Sequence, residues 1–249
     1  MSLTTTTALC LRKIDFSETS QILTLLSDKL GTVGAIAKGA KRAKSGIGGP
    51  LDLMCLYNVV LYDRSRRGTL SILAQAELLD FFPDARQGYE SFTAVERMRE
   101  LLLAIEVTPH DAPATLLTAV KAMRALSDGD LPEQVLARFA WGLLSVLGVE
   151  PVVTECVASG VEPSGKVEVA FSLREMGLLS PPHAQHRTDL LRITPPTLAA
   201  LQALATGHAG RGIQVDAYAG AFTLLAWLVA MQGGRRLRSV APLDPERPL

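Results

Sequence analysis

The sequence predicts an α+β protein with two domains, an amino-terminal β-barrel over residues 1–80 and an all-α helical domain over residues 81–249. Five short β-rich runs separated by turn residues fill the first domain, whereas apolar residues spaced three or four apart dominate after Pro83. A stretch with four prolines between residues 149 and 192 predicts an irregular insert or a small subdomain within the helical domain. With 48% apolar residues in a chain of 249, each domain can bury a core.

The predicted strands of the first domain are joined by turn signals such as S-D-K-L-G and S-G-I-G-G-P. They cover residues 5–15, 21–26, 31–38, 53–62 and 69–76. Closing five short strands into a small barrel removes exposed sheet edges, and an OB-type barrel is the leading choice. An SH3-like barrel or a split sheet has the same periodicity, so the pattern leaves the topology open.

The helical domain is predicted to contain five helices, over residues 89–107, 113–126, 132–147, 196–206 and 215–232. The first carries its apolar residues on one stripe. The second and third begin with a proline near the first turn, where the missing N–H breaks no helical hydrogen bond. The last is apolar nearly all round, and its run of residues 217–231 is too short to cross a bilayer. We therefore expect it at the centre of the domain.

Residues 37–46, with the sequence A-K-G-A-K-R-A-K-S-G, hold four cations within seven positions: Lys38, Lys41, Arg42 and Lys44. The chain has no formal net charge, but residues 1–70 contain ten Lys and Arg against five Asp and Glu. Small residues between the cations let a phosphate backbone approach, and the cations displace its counterions. The run therefore predicts contact with a polyanion, and a solvated basic loop is the alternative interpretation.

Two further basic clusters complete the predicted DNA-binding residues. One lies in the turn before the last strand and the other follows the last helix: Arg64, Arg66 and Arg67, then Arg235, Arg236 and Arg238. Contacts from such cations go to phosphates and are largely indifferent to base sequence. The cluster after the last helix has two interpretations. Its arginines either complement the carboxyl end of that helix, or they serve as a second DNA contact or a dock for an acidic peptide tail.

Aromatic side chains that could stack on bases are few in the barrel, namely Phe16, Tyr57 and Tyr62. Tyr57 and Tyr62 lie five positions apart in one strand and so point to opposite faces, which places one of them in the core. Affinity for nucleic acid is therefore expected to depend mainly on charge and to fall steeply with salt.

Several classes of function lack their sequence signature. No G-x-x-x-x-G-K-[ST] loop is present, so ATP hydrolysis is not expected, and no cluster of carboxylates suits a nuclease. The histidines are isolated in sequence from any Ser or Cys partner. Three scattered cysteines and an amino terminus without a signal peptide predict a soluble protein of a reducing cytoplasm. We expect neither enzymatic activity nor membrane association.

The chain resembles the RecO family of bacterial recombination mediators through four segments: R-K-I-D-F-S-E-T-S-Q-I-L-T-L-L-S, G-T-V-G-A-I-A-K-G-A-K-R-A-K-S, L-D-L-M-C-L-Y and F-A-W-G-L-L-S-V-L-G-V-E-P. The resemblance implies an OB barrel followed by a helical domain, and a non-catalytic role in DNA repair in the bacterial cytoplasm, associated with the nucleoid. It also implies binding of single- and double-stranded DNA, annealing of complementary strands, and action with RecR and RecF to help RecA replace single-strand-binding protein. The helical domain would recognise the acidic carboxy-terminal tail of that protein.

The resemblance further implies a zinc-finger-like insert held by two C-x-x-C pairs. This sequence departs from that pattern, because the four positions hold Cys156, Ser159, Ser180 and His183. A serine hydroxyl is a poor zinc ligand, and only Cys156, His183 and at most His186 remain as donors. We therefore expect no structural zinc and no other cofactor, and expect local apolar packing to hold the insert together.

Two other functions fit the same residues. A protein-interaction adaptor would use the basic barrel to dock an acidic partner instead of DNA. An RNA-binding factor is disfavoured mainly by the resemblance. The DNA-binding hypothesis requires that the cations of the barrel converge on one electropositive groove.

Overall fold

The computed structural model describes residues 2–42, 45–63, 69–185, 187–207, 212–244 and 247–249. The chain divides into two compact units, one of Met1–Val95 with Glu106–Ser127 and the other of Glu96–Ile105 with Asp128–Leu249. The sequence predicts a domain boundary between residues 80 and 81, and this boundary stays a prediction.

Five strands of the first unit form a closed barrel in the order β1-β2-β3-β5-β4. Their bounds are Ser2–Asp15, Gln21–Ser27, Gly31–Ala37, Leu56–Asp63 and Ser71–Asp80 for β1 to β5. All neighbouring strands are antiparallel except β3 and β5, which are parallel. The five predicted strands are confirmed, and closure leaves the sheet without a free edge.

The interior of the barrel is filled by side chains that alternate along each strand with outward-facing ones. Tyr57 is buried there, and its hydroxyl accepts a hydrogen bond of 2.8 Å from the Asp52 backbone N–H. Gln21 is also buried, and its Oε1 accepts the N–H of Leu51 at 3.1 Å. Tyr62 lies on the outside of the same strand, which confirms that only one of the two tyrosines belongs to the core.

Six α-helices follow in the described part of the chain. Their bounds are Tyr89–Ala104, Ala112–Ser127, Pro132–Val146, Pro181–Ala184, Pro195–Thr206 and Val215–Gly233 for α1 to α6. In the first unit, α2 contacts β2 and a 3-10 helix at Asp84–Arg86. In the second unit, α6 packs against α3 and α5. All five predicted helices are present, and α4 is an additional short one.

Helix α6 is the core helix of the second unit, as its composition predicts. Among the described residues it is the one helix that is long and apolar enough to cross a membrane, yet 56% of its most apolar stretch is buried inside the protein. Ten of its side chains are buried: Ala217, Tyr218, Ala221, Phe222, Leu224, Leu225, Ala226, Leu228, Val229 and Ala230. Burial on nearly all sides is the reason for its uniformly apolar sequence.

The insert contains a small sheet, so of the two predicted alternatives the structure agrees with a small subdomain and not with a wholly irregular segment. Its strands are β6 at Val152–Cys156, β7 at Val169–Ser172, β8 at Gly177–Leu179 and β9 at Leu190–Ile193, in the order β6-β8-β7-β9. Strands of three to five residues are too short for an alternating pattern to stand out among prolines. Phe171, Leu178 and Ile193 supply the apolar packing expected here.

Candidate nucleic-acid interface

The basic turn of residues 38–42 begins directly after β3 and lies against the turn that joins β1 to β2. The Lys41 backbone N–H donates to the Thr19 carbonyl at 3.1 Å, and the Gly39 N–H donates to Ser20 Oγ at 3.5 Å. A further bond of 3.1 Å joins the Arg42 N–H to the Gly39 carbonyl. These bonds fix the cations at the end of the barrel where β1 ends, β2 begins and β3 ends.

Gly39 has a conformational role in the basic turn. Its φ is +72°, in the left-handed region that side chains disfavour. A Cβ at this position would lie 3.4 Å from Cδ and Nε of Arg42, so the arginine side chain passes across the bare glycine backbone. The A-K-G-A-K-R pattern therefore forms a tight turn at Gly39, and the Arg42 side chain packs against that glycine.

The cations of the basic turn differ in availability. Lys41 Nζ lies 2.5 Å from Asp15 Oδ2, at the end of β1. Lys38 and Arg42 are exposed, and no described carboxylate lies within 4.0 Å of either. Two of the three described cations are thus available to an incoming phosphate, while the third holds β1 to the turn.

A second ion pair lies at the same end of the barrel. Lys13 Nζ is 2.5 Å from Asp52 Oδ1. The hydrogen bond from Lys13 lowers the pKa of the Asp52 carboxyl, against the smaller opposite effect of burial. Arg12, one residue earlier on β1, is exposed. Sequence reasoning missed both ion pairs, because their partners are 26 and 39 residues apart and meet only through the strand alignment.

Phe16 is an aromatic residue of the β1–β2 turn, to which the basic turn is hydrogen-bonded. It begins the β1–β2 turn, where its N–H donates to the Ser20 carbonyl at 3.0 Å, and its side chain is 63% exposed. Tyr62 is 42% exposed near the end of β4. An exposed aromatic ring in the turn that contacts the basic turn suits a ligand that carries both phosphates and flat bases. Lys44, Arg64, Arg66 and Arg67 lie outside the described residues, so their convergence with the basic turn stays a prediction.

The third basic cluster follows α6, whose last residue is Gly233. Gly234 has a φ of +64° and donates its N–H to the Ala230 carbonyl, which confirms the predicted glycine stop. Arg235 Nη1 donates to the Leu103 carbonyl at 2.9 Å, so this arginine is tied to α1. Arg236 and Arg238 are exposed and, with Trp227, line a cavity of about 550 Å³.

Glu100 of α1 fixes the segment that carries this cluster. Its carboxylate accepts the backbone N–H groups of Arg238 at 2.6 Å and Ser239 at 3.0 Å, and also the Ser239 hydroxyl. Burial raises the pKa of Glu100, but these hydrogen bonds outweigh it and the pKa is lowered overall. The side chains of Arg236 and Arg238 are left facing solvent.

The four positions of the implied zinc site do come together in the insert. Ser180 donates its backbone N–H to Cys156 Sγ at 3.2 Å, and its Oγ lies 3.0 Å from His183 Nδ1 and 3.4 Å from Ser159 Oγ. Among the described residues, no group of three or more His, Cys, Asp or Glu side chains could hold a metal ion. Two hydroxyls, one thiol and one imidazole do not fit a structural zinc site.

Comparison with known proteins identifies the family. The sequence model described as "Recombination protein O N terminal" matches residues 1–82, and "Recombination protein O C terminal" matches residues 86–240. The DNA repair protein RecO of Rhodopirellula baltica is 30% identical over 201 residues, which are 80% of this chain and 74% of that protein. The RecO of Gloeobacter violaceus is 31% identical over 80% of this chain and 76% of its own length.

A third relative, the DNA repair protein RecO of Salinibacter ruber, is 34% identical over 61% of this chain and 58% of its own length. The two family models together span both compact units, from the barrel to the segment after α6. The chain therefore belongs to the RecO family of DNA repair and recombination proteins.

Proposed function

We propose that the chain is a non-catalytic, DNA-binding recombination mediator. It binds single- and double-stranded DNA, anneals complementary strands, and acts with RecR and RecF to load RecA on DNA coated with single-strand-binding protein. The observation that carries the proposal is the basic turn, where Lys38 and Arg42 are exposed and unpaired among the described residues, beside the exposed ring of Phe16. The relatives are DNA repair proteins by name, which supports a role in this pathway.

We infer that the barrel is of the OB type. A closed order of β1-β2-β3-β5-β4, in which β3 and β5 pair in parallel, supports this assignment. OB barrels bind oligonucleotides on the face of their second and third strands and on the loops after the first and fourth. The basic turn of this chain follows β3 and is bonded to the β1–β2 turn, so it borders that surface.

The helical unit supplies a second contact. Arg236 and Arg238 face solvent beside the Trp227 cavity, a combination of charge and apolar surface that suits the acidic tail of single-strand-binding protein or a second DNA strand. Annealing requires that the repulsion between two phosphate backbones be neutralised, and separate basic clusters serve that purpose. The protein would act at the nucleoid in the cytoplasm of a bacterium.

A protein-interaction adaptor is the second candidate function, and one observation favours it. Large apolar side chains are exposed at the end of β5 and the start of α1, within the first unit: Leu78, Leu79, Phe81, Tyr89 and Phe92. Clustered exposed apolar residues mark interaction sites. In that case the basic turn would meet an acidic protein partner.

Charge reversal of the two available cations tests direct DNA binding. We expect Lys38→Glu with Arg42→Glu to weaken binding of a labelled 20-nucleotide single strand by about tenfold or more at low salt, because both lost cations contact phosphates. Fluorescence anisotropy measures the dissociation constant. Lys166→Glu, a single reversal at an exposed site in the insert, is the control and should bind like wild type. Unchanged affinity of the double variant would contradict direct contact and favour the adaptor.

A further inference from the structure

A continuous band of large apolar side chains crosses all five strands on the outside of the barrel. We name it the apolar band; its members, in order around the barrel, are Leu3, Tyr62, Ile72, Ile36, Ile22 and Ile14. Each member is the registered cross-strand partner of the next: Leu3 with Tyr62, Tyr62 with Ile72, Ile72 with Ile36, Ile36 with Ile22, and Ile22 with Ile14. The band therefore starts and ends on β1.

The neighbours of these residues along each strand show that the band faces outward. Leu61, Leu73, Ala35 and Leu23 are each at most 2% exposed and belong to the core cluster of the barrel. Side chains alternate between the two faces of a strand, so the residues next to them point away from the core. Three members are well exposed, Leu3 at 59%, Ile14 at 44% and Tyr62 at 42%, and the other three, Ile22, Ile36 and Ile72, are half-buried.

An apolar outer face needs an explanation, because the outer side of a solvated antiparallel sheet is ordinarily polar. Single exposed apolar residues are common, but six that are paired across five strands form one connected surface. Adjacent strands lie about 4.8 Å apart, so the five inter-strand steps trace a path of about 24 Å around the closed barrel.

Cations lie beside the members of the apolar band on β3 and at the end of β1. Ile36 precedes Lys38 by two residues, and Ile14 precedes the exposed Phe16 by two. Arg12, two residues before Ile14 on β1, is exposed on the same outer face, where it pairs with Thr24. Apolar side chains with positive charges beside them complement a ligand that has flat apolar groups attached to an anionic backbone, as a nucleic-acid strand does.

We propose that the apolar band takes the unpaired bases of single-stranded DNA while the basic turn holds the phosphates. This deepens the proposed function and rests on it. Base faces are buried in a duplex and exposed in a single strand, so contact with them selects unpaired DNA without selecting its sequence. The same site then holds duplex DNA through its phosphates alone, and the band sets the preference for single strands.

Three ligands of equal length separate base contacts from phosphate contacts: a 20-nucleotide thymidine strand, a 20-mer of abasic sugar-phosphate, and a 20-base-pair duplex. We expect wild type to bind the thymidine strand about tenfold more tightly than the abasic strand. Ile14→Ser with Tyr62→Ser should reduce that ratio to about two or less. Affinity for the abasic strand and the duplex, and the salt dependence of binding, should not change, because no cation is lost.

A matched control is Leu79→Ser, which removes an aliphatic side chain of similar exposure from β5, seven residues beyond the band. It should keep the wild-type ratio. Phe16→Ser, in the β1–β2 turn, extends the test to a site where substitution does not disturb a strand, and it should lower the ratio as well. Thermal unfolding of each variant checks that the barrel stays folded.

Four outcomes would overturn the inference. Equal binding of the thymidine and abasic strands by wild type would show that bases make no contact, although DNA binding itself would stand. Failure of wild type to bind any of the three ligands would instead refute the proposed function. Equal weakening of all three ligands in the band variants would exclude a base-specific role. Normal DNA binding with a changed oligomeric state in size-exclusion chromatography would identify the band as a protein interface.

Discussion

At the scale of single residues, burial and hydrogen bonds set the pKa values of the three cysteines in opposite directions. Burial raises the pKa of Cys10 to about 12 and also raises the pKa of Cys55. Burial acts in the same direction on Cys156, but hydrogen bonds from Ser159 and Ser180 outweigh it and lower the pKa of this thiol to about 6. Cys156 also lines a cavity of about 630 Å³ in the insert.

Selective alkylation of Cys156 follows from this contrast. A lowered pKa means that the thiolate predominates above about pH 6 and is lost as the pH falls through that value. We expect iodoacetamide to modify Cys156 at neutral pH, with half the maximal rate near pH 6, while Cys10 stays unmodified in the folded protein. Peptide mass spectrometry gives the rates. Ser159→Ala should move the midpoint upward, and reaction of Cys156 only above pH 8 would contradict the prediction.

The sequence identifies the cations of the basic turn but not their pairing state. The run of Lys and Arg after β3 is visible in any reading of the chain, whereas the link between Lys41 and Asp15 depends on how β1, β2 and β3 align. The same holds for the apolar band. Its isoleucines are ordinary strand residues in sequence, and only the cross-strand register joins them into one surface.

At the scale of elements, the start of β3 is joined to the segment after α1. The Thr32 N–H donates to the Val107 carbonyl at 3.0 Å, and the Val107 N–H donates to Thr32 Oγ1 at 3.3 Å. Gly31 has a φ of +70°, and a Cβ there would lie 2.1 Å from the Val107 carbonyl oxygen. Glycine is therefore required at this position for both conformation and space.

Gly31→Ala should destabilise the barrel. The added Cβ combines a disfavoured φ with a backbone clash, so we expect the free energy of unfolding to fall by about 2 kcal/mol or more. Urea denaturation followed by circular dichroism measures the change. Gly46→Ala is the matched control, because no atom lies within 4 Å of its Cβ position and its φ is not in the left-handed region. A loss of similar size in both variants would show that the contact with Val107 does not matter.

The elements that sequence could predict are those with a long enough period. Five barrel strands and five helices are found within a few residues of their predicted bounds, because the apolar residues of each element recur at the strand or helix spacing over most of its length. The four strands of the insert were missed, since three to five residues between prolines carry no readable alternation. The parallel pairing of β3 with β5 was also beyond prediction, because periodicity does not report which strands become neighbours.

At the scale of the whole molecule, zero net charge conceals an uneven distribution. Cations are concentrated in the first 70 residues and again after α6, and acidic residues prevail in between. A chain without net charge is not drawn to DNA as a whole, so binding depends on the local clusters. The two described clusters belong to different compact units, the basic turn to the first and the Arg235–Arg238 segment to the second.

Division of labour between these clusters predicts a separation of strand binding from annealing. Reversal of the second cluster by Arg236→Glu with Arg238→Glu should leave the affinity of the barrel for one single strand within about twofold of wild type. The annealing rate constant for two complementary strands should fall by about tenfold. The variant no longer neutralises the phosphates of the second strand, and it no longer attracts that strand by opposite charge, so the two strands meet more slowly. Arg235 is left intact in this variant, since its bond to Leu103 is structural.

Stopped-flow fluorescence with a donor on one strand and an acceptor on the other gives the annealing rate, and anisotropy gives the single-strand affinity. Lys166→Glu reports the effect of one charge reversal elsewhere in the same unit and should anneal at the wild-type rate. Slower annealing with unchanged affinity means that the segment after α6 acts on the second strand. Annealing at the wild-type rate in the double variant would show that Arg236 and Arg238 contact a partner other than the second strand. Loss of both single-strand affinity and annealing rate would place them in the primary DNA site.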